Sequence, residues 1–321
     1  AREGLVTTAL SWIVLSIVGA VPFVLSKAIP NPIDAFFEIV SGFTTTGSSI
    51  LSDPSQMPYC INIWRCFSHW IGGMGVLVFI LTLLPLAGGY HMNLMKAESP
   101  GPSVGKLLPK VQATAKILYK IYIALTVVLI ILLLLGGIPL YDSLCAAFGT
   151  AGTGGFGIKP DSMGSYSLYI QIVITVFMIL FGVNFNVYFL LLTKKFSQAL
   201  KSEEVRCYFI VIIASALMIT FNVRHLFNNV WEALQQSFFQ VGSIITTTGY
   251  ATTDYNQWPA VSRTILVLLT FCGACAGSTG GGIKISRLLL LAKSVRKELH
   301  LYLHPNAVKK IKMDGKAVSH E

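Results

Sequence analysis

Residues 36–47 read F-F-E-I-V-S-G-F-T-T-T-G, and residues 238–249 read F-F-Q-V-G-S-I-I-T-T-T-G. The two stretches agree at Phe36 and Phe238, Phe37 and Phe239, Ser41 and Ser243, Thr44 to Thr46 and Thr246 to Thr248, and Gly47 and Gly249. A repeat of this kind marks equivalent structural units and has to be read before anything else. Each copy is a short apolar run ending in a hydroxyl-rich turn closed by glycine, too short to cross a bilayer and followed by a polar loop. That is the build of a re-entrant pore loop. A weaker third copy ends at Thr153-Gly154, preceded by Asp142 as the first copy is preceded by Asp34.

The composition sets the solvent. Of the 321 residues 54% are hydrophobic and 12% charged, where a soluble domain carries about 25% charged residues. The chain reads as a membrane protein. Its net charge of +10 does not point to nucleic acid, because the basic residues punctuate long apolar runs instead of sharing one solvated face. Cys60, Cys66, Cys145, Cys207, Cys272 and Cys275 are scattered, so no disulfide framework is indicated; Cys60 and Cys66 are spaced to pair, and a reduced packing role is expected. Ala1-Arg2-Glu3-Gly4 has neither an initiator Met nor a cleavage pattern, and the chain is expected to begin inside a longer protein.

Residues 5–25 are apolar and long enough to span, since roughly 20 residues cross the hydrocarbon core. Asn31-Pro32 supplies a cap and a first helical position for a half-length helix from Asp34 to about Phe43. A polar loop through Asp53, Pro54 and Pro58 leads to a span at about 64–84, broken by Gly72, Gly73 and Gly75. The pattern recurs with spans at about 117–136 and 168–193 around a short helix from Asp142. It recurs again with a span at about 207–223, a short helix from about Asn229 and a segment from Pro259 to about Cys275. Lys96, Lys106, Lys110, Lys116 and Lys120, then Lys194, Lys195, Lys201 and Arg206, then the tail from Lys284 to Lys316, carry most of the 24 basic residues. Those connections are therefore expected in the cytoplasm, with the N-terminus inside and each loop entering from outside. The predicted organisation is a first pore unit over 1–95, a second over 96–200, a third over 201–300 and a basic cytoplasmic tail over 301–321.

Irregular backbone at membrane depth is tolerated only where it is buried or lines a watery path. Turns at equivalent positions are thus expected to converge on one axis. Backbone carbonyls and threonine hydroxyls can replace the water of a cation without a fixed charge that would hold it too tightly. Glycine permits the backbone angles that this needs, and the short helices aim their partially negative C-termini at the cavity. No Lys or Arg lies in these turns, which argues against an anion path.

Thr44-Thr45-Thr46-Gly47, Trp70-Ile71-Gly72-Gly73-Met74-Gly75, Thr246-Thr247-Thr248-Gly249-Tyr250, Ala276-Gly277-Ser278-Thr279-Gly280-Gly281-Gly282-Ile283-Lys284 and His304-Pro305-Asn306-Ala307-Val308 together resemble the Trk/Ktr/HKT superfamily of cation transporters, most closely its bacterial TrkH-type potassium-uptake members. The resemblance covers essentially the whole chain. It implies an all-α membrane protein of span–pore-loop–span units set pseudo-fourfold around a central pore, with K+ as the transported ion and no organic cofactor. Carried over, the filter glycines are Gly47, Gly154 and Gly249, and the ion is held by Thr45, Thr46, Gly47, Thr153, Gly154, Thr247, Thr248 and Gly249. It further implies that residues 273–283 form an intramembrane gating loop, with Gly277, Ser278, Thr279, Gly280, Gly281, Gly282 and Lys284 as its working residues. A homodimer with one pore per protomer, a TrkA-like cytosolic nucleotide-binding ring and a bacterial plasma-membrane location follow from the same resemblance. The basic tail suits such a ring or anionic lipid. The family's fourth unit is missing from these residues, so this 321-residue chain alone is expected not to support uptake. Each turn has a single glycine in place of the longer T-V-G-Y-G register, which predicts loose discrimination of K+ from Na+.

Weaker signals have plainer readings. Residues 152–157 satisfy G-x-G-x-x-G without a preceding strand or an acidic residue about 20 positions on, so dinucleotide binding is set aside. Cys272 and Cys275 form C-x-x-C without further zinc ligands. His300 and His304 share a helix face in a basic segment and read as surface. Glu38 either tunes the pore or pairs with a basic group, with interfacial water as the bland alternative. Asn184 and Asn186 either line the pore or, slightly favoured, bond across helices. Lys284 reads equally as a gating contact or a snorkelling lysine. An embedded enzyme would need a cluster of catalytic side chains that the spans do not show, and a scaffold would not need matched Thr/Gly turns.

Overall fold

The computed structural model describes residues 2–75, 111–304 and 310–317. α1 (Arg2–Leu25) turns back into α2 (Pro32–Phe43), which starts where the Asn31 carboxamide accepts the N–H of Ile33 at 3.0 Å and Pro32 presets the first helical angle. Asp53 then accepts the N–H of Ser55 at 3.0 Å, capping a 3-10 turn ahead of α3 (Tyr59–Gly73). Hydrogen bonds from the side chains of Ser55 and Gln56 hold the Asp53 carboxyl below its ordinary pKa.

α4 (Val111–Leu135), α5 (Leu140–Ala151), α6 (Leu168–Phe181) and α7 (Phe185–Leu192) repeat the arrangement. After the short α8 (Phe196–Leu200) come α9 (Glu203–Val223), α10 (Val230–Ile245), α11 (Ala260–Phe271) and α12 (Ile285–Leu303). The Asn229 carboxamide caps α10 through the N–H of Glu232 at 2.8 Å. Asp254 caps a 3-10 turn ahead of α11 just as Asp53 does ahead of α3, again at 3.0 Å. α2 and α5 have 12 residues and α10 has 16. At 1.5 Å per residue they reach roughly 18 to 24 Å, short of a core of about 30 Å.

Among the described residues, Lys116–Leu135 and Glu203–Leu226 are long and apolar enough to cross a membrane. The span expected at 64–84 begins on α3, and residues 76–84 lie outside the described residues. The span expected at 168–193 is broken in its middle. α6 and α7 meet at 91°, because Gly182 ends the first helix and the Asn184 carboxamide starts the second by accepting the N–H of Asn186 at 2.9 Å. Asn184 thus serves as a helix cap, with its carboxamide beside Gly277.

The tail also departs from expectation. β1 (Lys312–Met313) pairs antiparallel with β2 (Lys316–Ala317), an exception to the all-α fold. Asp314 and Gly315 turn between them at φ 49° and 78°, the left-handed pair that matches the twist of a hairpin. Asp314 accepts the N–H of Glu203 at 2.8 Å, and Lys293 joins the Glu203 carboxylate to the Lys312 carbonyl.

Outward apolar residues such as Ile17, Ile131, Ile172 and Leu217 stay exposed, the pattern of helices solvated by lipid. Inside, the Tyr122 hydroxyl donates to the Trp70 carbonyl at 2.9 Å and the Trp70 indole to Thr126 at 3.1 Å, locking α3 to α4. A Cβ on Gly72 would run into the Phe43 carbonyl, and one on Gly73 would sit 2.5 Å from the Cα of Gly152. These two glycines let α3 press against the C-terminal ends of α2 and α5, where the turns at 44–47 and 152–155 begin.

Candidate functional site

α2, α5 and α10 end in one and the same cap. The N–H of Thr45 bonds Gly42 at 3.1 Å and that of Thr46 bonds Ser41 at 3.0 Å. Thr153 and Gly154 bond Thr150 and Gly149 at 3.1 and 3.0 Å, and Thr247 and Thr248 bond Ile244 and Ser243 at 3.0 and 2.9 Å. This paired closure needs the first of its two donor residues in the left-handed region, normally glycine. Here it is threonine each time, at φ 54°, 51° and 59° for Thr45, Thr153 and Thr247. A β-branched residue there costs about 1–3 kcal/mol, the kind of strain that collects at functional sites.

Two residues later φ is positive again, at Gly47 (77°), Gly155 (79°) and Gly249 (84°). This shifts the register of the second copy. Gly154 stands in the position of Thr46 and Thr248, and Gly155 in that of Gly47 and Gly249. The Thr-Gly pair at 153–154 misplaces the match by one, because glycine occupies both positions after Thr153.

The turns touch in chain order, the first against the second and the second against the third. A Cβ on Gly47 would be driven into the carbonyl oxygen of Gly154, and one on Gly155 into that of Thr248, while one on Gly249 would meet nothing among the described residues. At the other edge, Thr44 and Thr46 are exposed whereas their counterparts Thr246 and Thr248 are buried. Hydroxyls brace the first and third turns, Thr44 with Thr46 at 2.8 Å and Thr246 with Thr248 at 2.7 Å. Among the described residues, no hydrogen-bond donor is directed at the carbonyl oxygens of Thr46, Gly47, Gly154, Gly155, Thr248 or Gly249.

Behind the turns lie side chains that the sequence reading only partly found. Glu38 pairs with a basic group: its carboxylate meets the Arg65 guanidinium at 2.5 Å, both buried. His69, absent from the sequence-derived candidates, stacks on Phe156 at 3.9 Å and lies flat against Gly154, whose Cβ it would block. A histidine in an apolar span was the available signal. Tyr250 donates to the Phe156 carbonyl at 3.1 Å, linking the third turn to the second.

Residues 272–284 form a loop under the third turn. Its ends close on each other, Gly273 N–H to the Ile283 carbonyl at 2.8 Å. The N–H of Gly281 donates to the Thr247 hydroxyl at 2.8 Å, and Gly277 accepts from the N–H of Phe185 at 3.0 Å in the break between α6 and α7. The Glu204 carboxylate, 4% exposed, accepts the N–H groups of Ala276 at 2.7 Å and Ser286 at 3.1 Å. Lys284 donates to the Gly280 carbonyl, folding the loop on itself. Thr279 hydrogen-bonds the Phe181 carbonyl at 3.2 Å, and Ser278 that of Cys275 at 2.7 Å.

Among the described residues no group of three metal-ligating side chains is present, and all six cysteines are free thiols. His300 and His304 stack at 4.9 Å on α12.

Known proteins show the same build. A family model described as "Cation transport protein" (TrkH) matches residues 1–321. The chain is 37% identical to the Trk system potassium uptake protein TrkH of Salmonella typhimurium over 99% of its own length and 67% of that protein, with the same figures for the TrkH of Escherichia coli. The crystal structure of the potassium transporter TrkH from Vibrio parahaemolyticus superposes with a TM-score of 0.85 at 32% identity, covering 99% of this chain and 66% of that one. The chain therefore spans about two thirds of the length of these relatives. Strained threonine caps, interlocking glycine turns and a small-residue loop beneath them fall inside a match that runs from the first residue to the last, and the chain belongs to the TrkH family of membrane-embedded cation transport proteins, not to a family of enzymes.

Proposed function

We propose that this chain lines a K+ uptake path whose filter is built from the turns at 44–47, 152–155 and 246–249. One observation carries the reading: these turns share one strained cap, interlock glycine against carbonyl, and leave their outer carbonyl oxygens without a donor. Such oxygens suit a cation that sheds most of its water, and they carry no fixed charge to trap it. The ion is held at Thr46, Gly47, Gly154, Gly155, Thr248 and Gly249, with Thr45, Thr153 and Thr247 shaping the turns. The fourth wall of a pseudo-fourfold ring sits between Gly249, which faces nothing among the described residues, and the exposed Thr46.

The loop at 273–283 acts as the gate, supported by its direct bond to Thr247. The protein works in a bacterial plasma membrane with α12 on the cytoplasmic side. The exposed Leu291, Val295 and Leu299, set among Arg287, Arg296 and Lys297, form a docking face for a TrkA-like nucleotide-binding ring, and the working assembly is a homodimer.

The test is Rb+ and K+ uptake, with Na+ as competitor, in bacteria lacking other K+ uptake and carrying the protein from its native gene. Gly47→Ser or Gly155→Ser is expected to change the K+ to Na+ ratio. Cation flux that ignores both substitutions would overturn the reading.

A further inference from the structure

The buried ion pair between α2 and α3 has no part in holding the cation, yet it stands where two filter turns meet. Glu38 is 0% and Arg65 2% exposed. The Glu38 carboxylate accepts the Ser49 hydroxyl at 2.8 Å and the Ile50 N–H at 3.0 Å, both just beyond Gly47. Arg65 donates from Nε to Glu38 at 2.5 Å and from another guanidinium nitrogen to the Gly157 carbonyl at 3.0 Å, two residues beyond Gly155, with its plane 3.7 Å from the Phe156 ring. One charged pair thus pins the outgoing strands of the first and second turns to each other.

The third unit shows what the fold requires at these positions. Gln240 takes the place of Glu38 in the repeat, and its amide reaches the Thr253 carbonyl at 3.4 Å. Counting from the matched caps at Asp53 and Asp254, Leu266 takes the place of Arg65 and is buried at 3% exposure. An amide and a leucine suffice there. Burying two charges carries a desolvation cost that apolar replacements avoid, so stability does not explain the pair. Charge-assisted bonds are short and directional, and a carbonyl filter discriminates by the geometry and stiffness of its oxygens.

We propose that Glu38 and Arg65 are positioning residues that set the preference for K+ over Na+ by fixing the spacing between the first and second filter turns. The inference rests on the K+ path proposed above and assigns part of its selectivity to a pair that does not touch the ion.

The experiment is the double variant Glu38→Gln/Arg65→Leu, which installs the third unit's residues and leaves no charge buried alone. The purified protein is melted in K+ or Na+, because a cation that binds the folded state protects it in proportion to its affinity. The ratio of Na+ to K+ concentration needed for equal protection is expected to fall about five-fold, the size of one ordered hydrogen bond in a binding ratio. An unchanged ratio in a folded variant overturns the proposal. Should the double variant not accumulate, Ser49→Ala removes one donor to Glu38 and leaves the charges paired. It is expected to lower the ratio about two-fold, and no change there also overturns it. Rb+ uptake by the unsubstituted protein is measured alongside. Its absence would defeat the transport reading, while the protection ratio still decides the role of the pair.

Discussion

The main-chain N–H of Gly281 donates to the hydroxyl of Thr247 at 2.8 Å, so the small-residue loop is tied directly to the strained residue of the turn at 246–249. In the proposed reading, gate and filter share this hydrogen bond. Thr247→Val keeps the branched shape and removes the acceptor, leaving the Gly281 N–H unpaired in the closed arrangement only. A net hydrogen bond is worth about 1 kcal/mol, which moves an open-to-closed equilibrium about five-fold. Basal Rb+ flux is expected to rise by that factor in Thr247→Val and to stay near normal in Thr247→Ser. Equal flux in all three proteins would show that the bond does not restrain the loop.

Glu204 holds both ends of the same loop, through the N–H groups of Ala276 and Ser286. Glu204→Ala orphans two buried donors at a cost of about 1–3 kcal/mol each. Hydrogen exchange at residues 273–284 is expected to accelerate at least ten-fold in roughly that energy range. Glu204→Gln, which keeps an acceptor oxygen but not the charge, is expected to fall in between. Protection unchanged in the alanine variant would place the loop's anchor elsewhere.

The hairpin at 312–317 supplies a cap across the chain. Ser202 precedes α9 without a side-chain bond to it, and Asp314 provides the acceptor for the Glu203 N–H in its stead. Asp314→Ala is expected to cost about 1 kcal/mol of local stability, as loss of a helix cap does. Limited proteolysis near residues 310–317 should become faster, and the first turn of α9 should fray by hydrogen exchange. The Lys293 to Glu203 pair is about one third exposed and adds little, so salt should have only a small effect. A variant as resistant as the parent protein would mean that the hairpin is held by other contacts.

Much of this was legible in the chain because local rules govern it. The repeat at 36–47 and 238–249 located two of the turns, and Asn31, Pro32 and Asn229 announced helix starts at the positions observed. Failures arose where long-range partners decide. The backbone angle of Gly47 recurs at Gly155, one residue past the matched Gly154, because φ, not residue identity, sets the register of a glycine-rich turn. The right-angle break at Gly182 to Asn184 has local marks in its glycine and its Asn cap, but the loop at 275–279 that bonds into it lies about 90 residues on in the chain. Arg65 lies 27 residues from Glu38, and only the packing of α3 on α2 brings the two together. Asp314-Gly315, a strong hairpin signal in itself, was masked by the basic composition around it.

The edge glycines test the shape of the ring. Gly47 and Gly249 share a positive φ, so alanine at either position meets the same backbone strain of about 1–3 kcal/mol. Their surroundings differ. A Cβ at Gly47 would displace the Gly154 carbonyl, whereas at Gly249 it enters space that is empty among the described residues. If a fourth turn of the same build occupies that space, its carbonyl meets Gly249 as Gly154 meets Gly47, and Gly249→Ala should lower K+ over Na+ preference as much as Gly47→Ala, within about two-fold. If the space is open to water or lipid, Gly249→Ala should show the strain alone and keep most of its preference. Parallel uptake measurements on the two variants, with K+ and Na+ in competition, separate these outcomes. Equal losses are the expected result, since the exposed Thr44 and Thr46 on the far edge leave the matching half of the same gap.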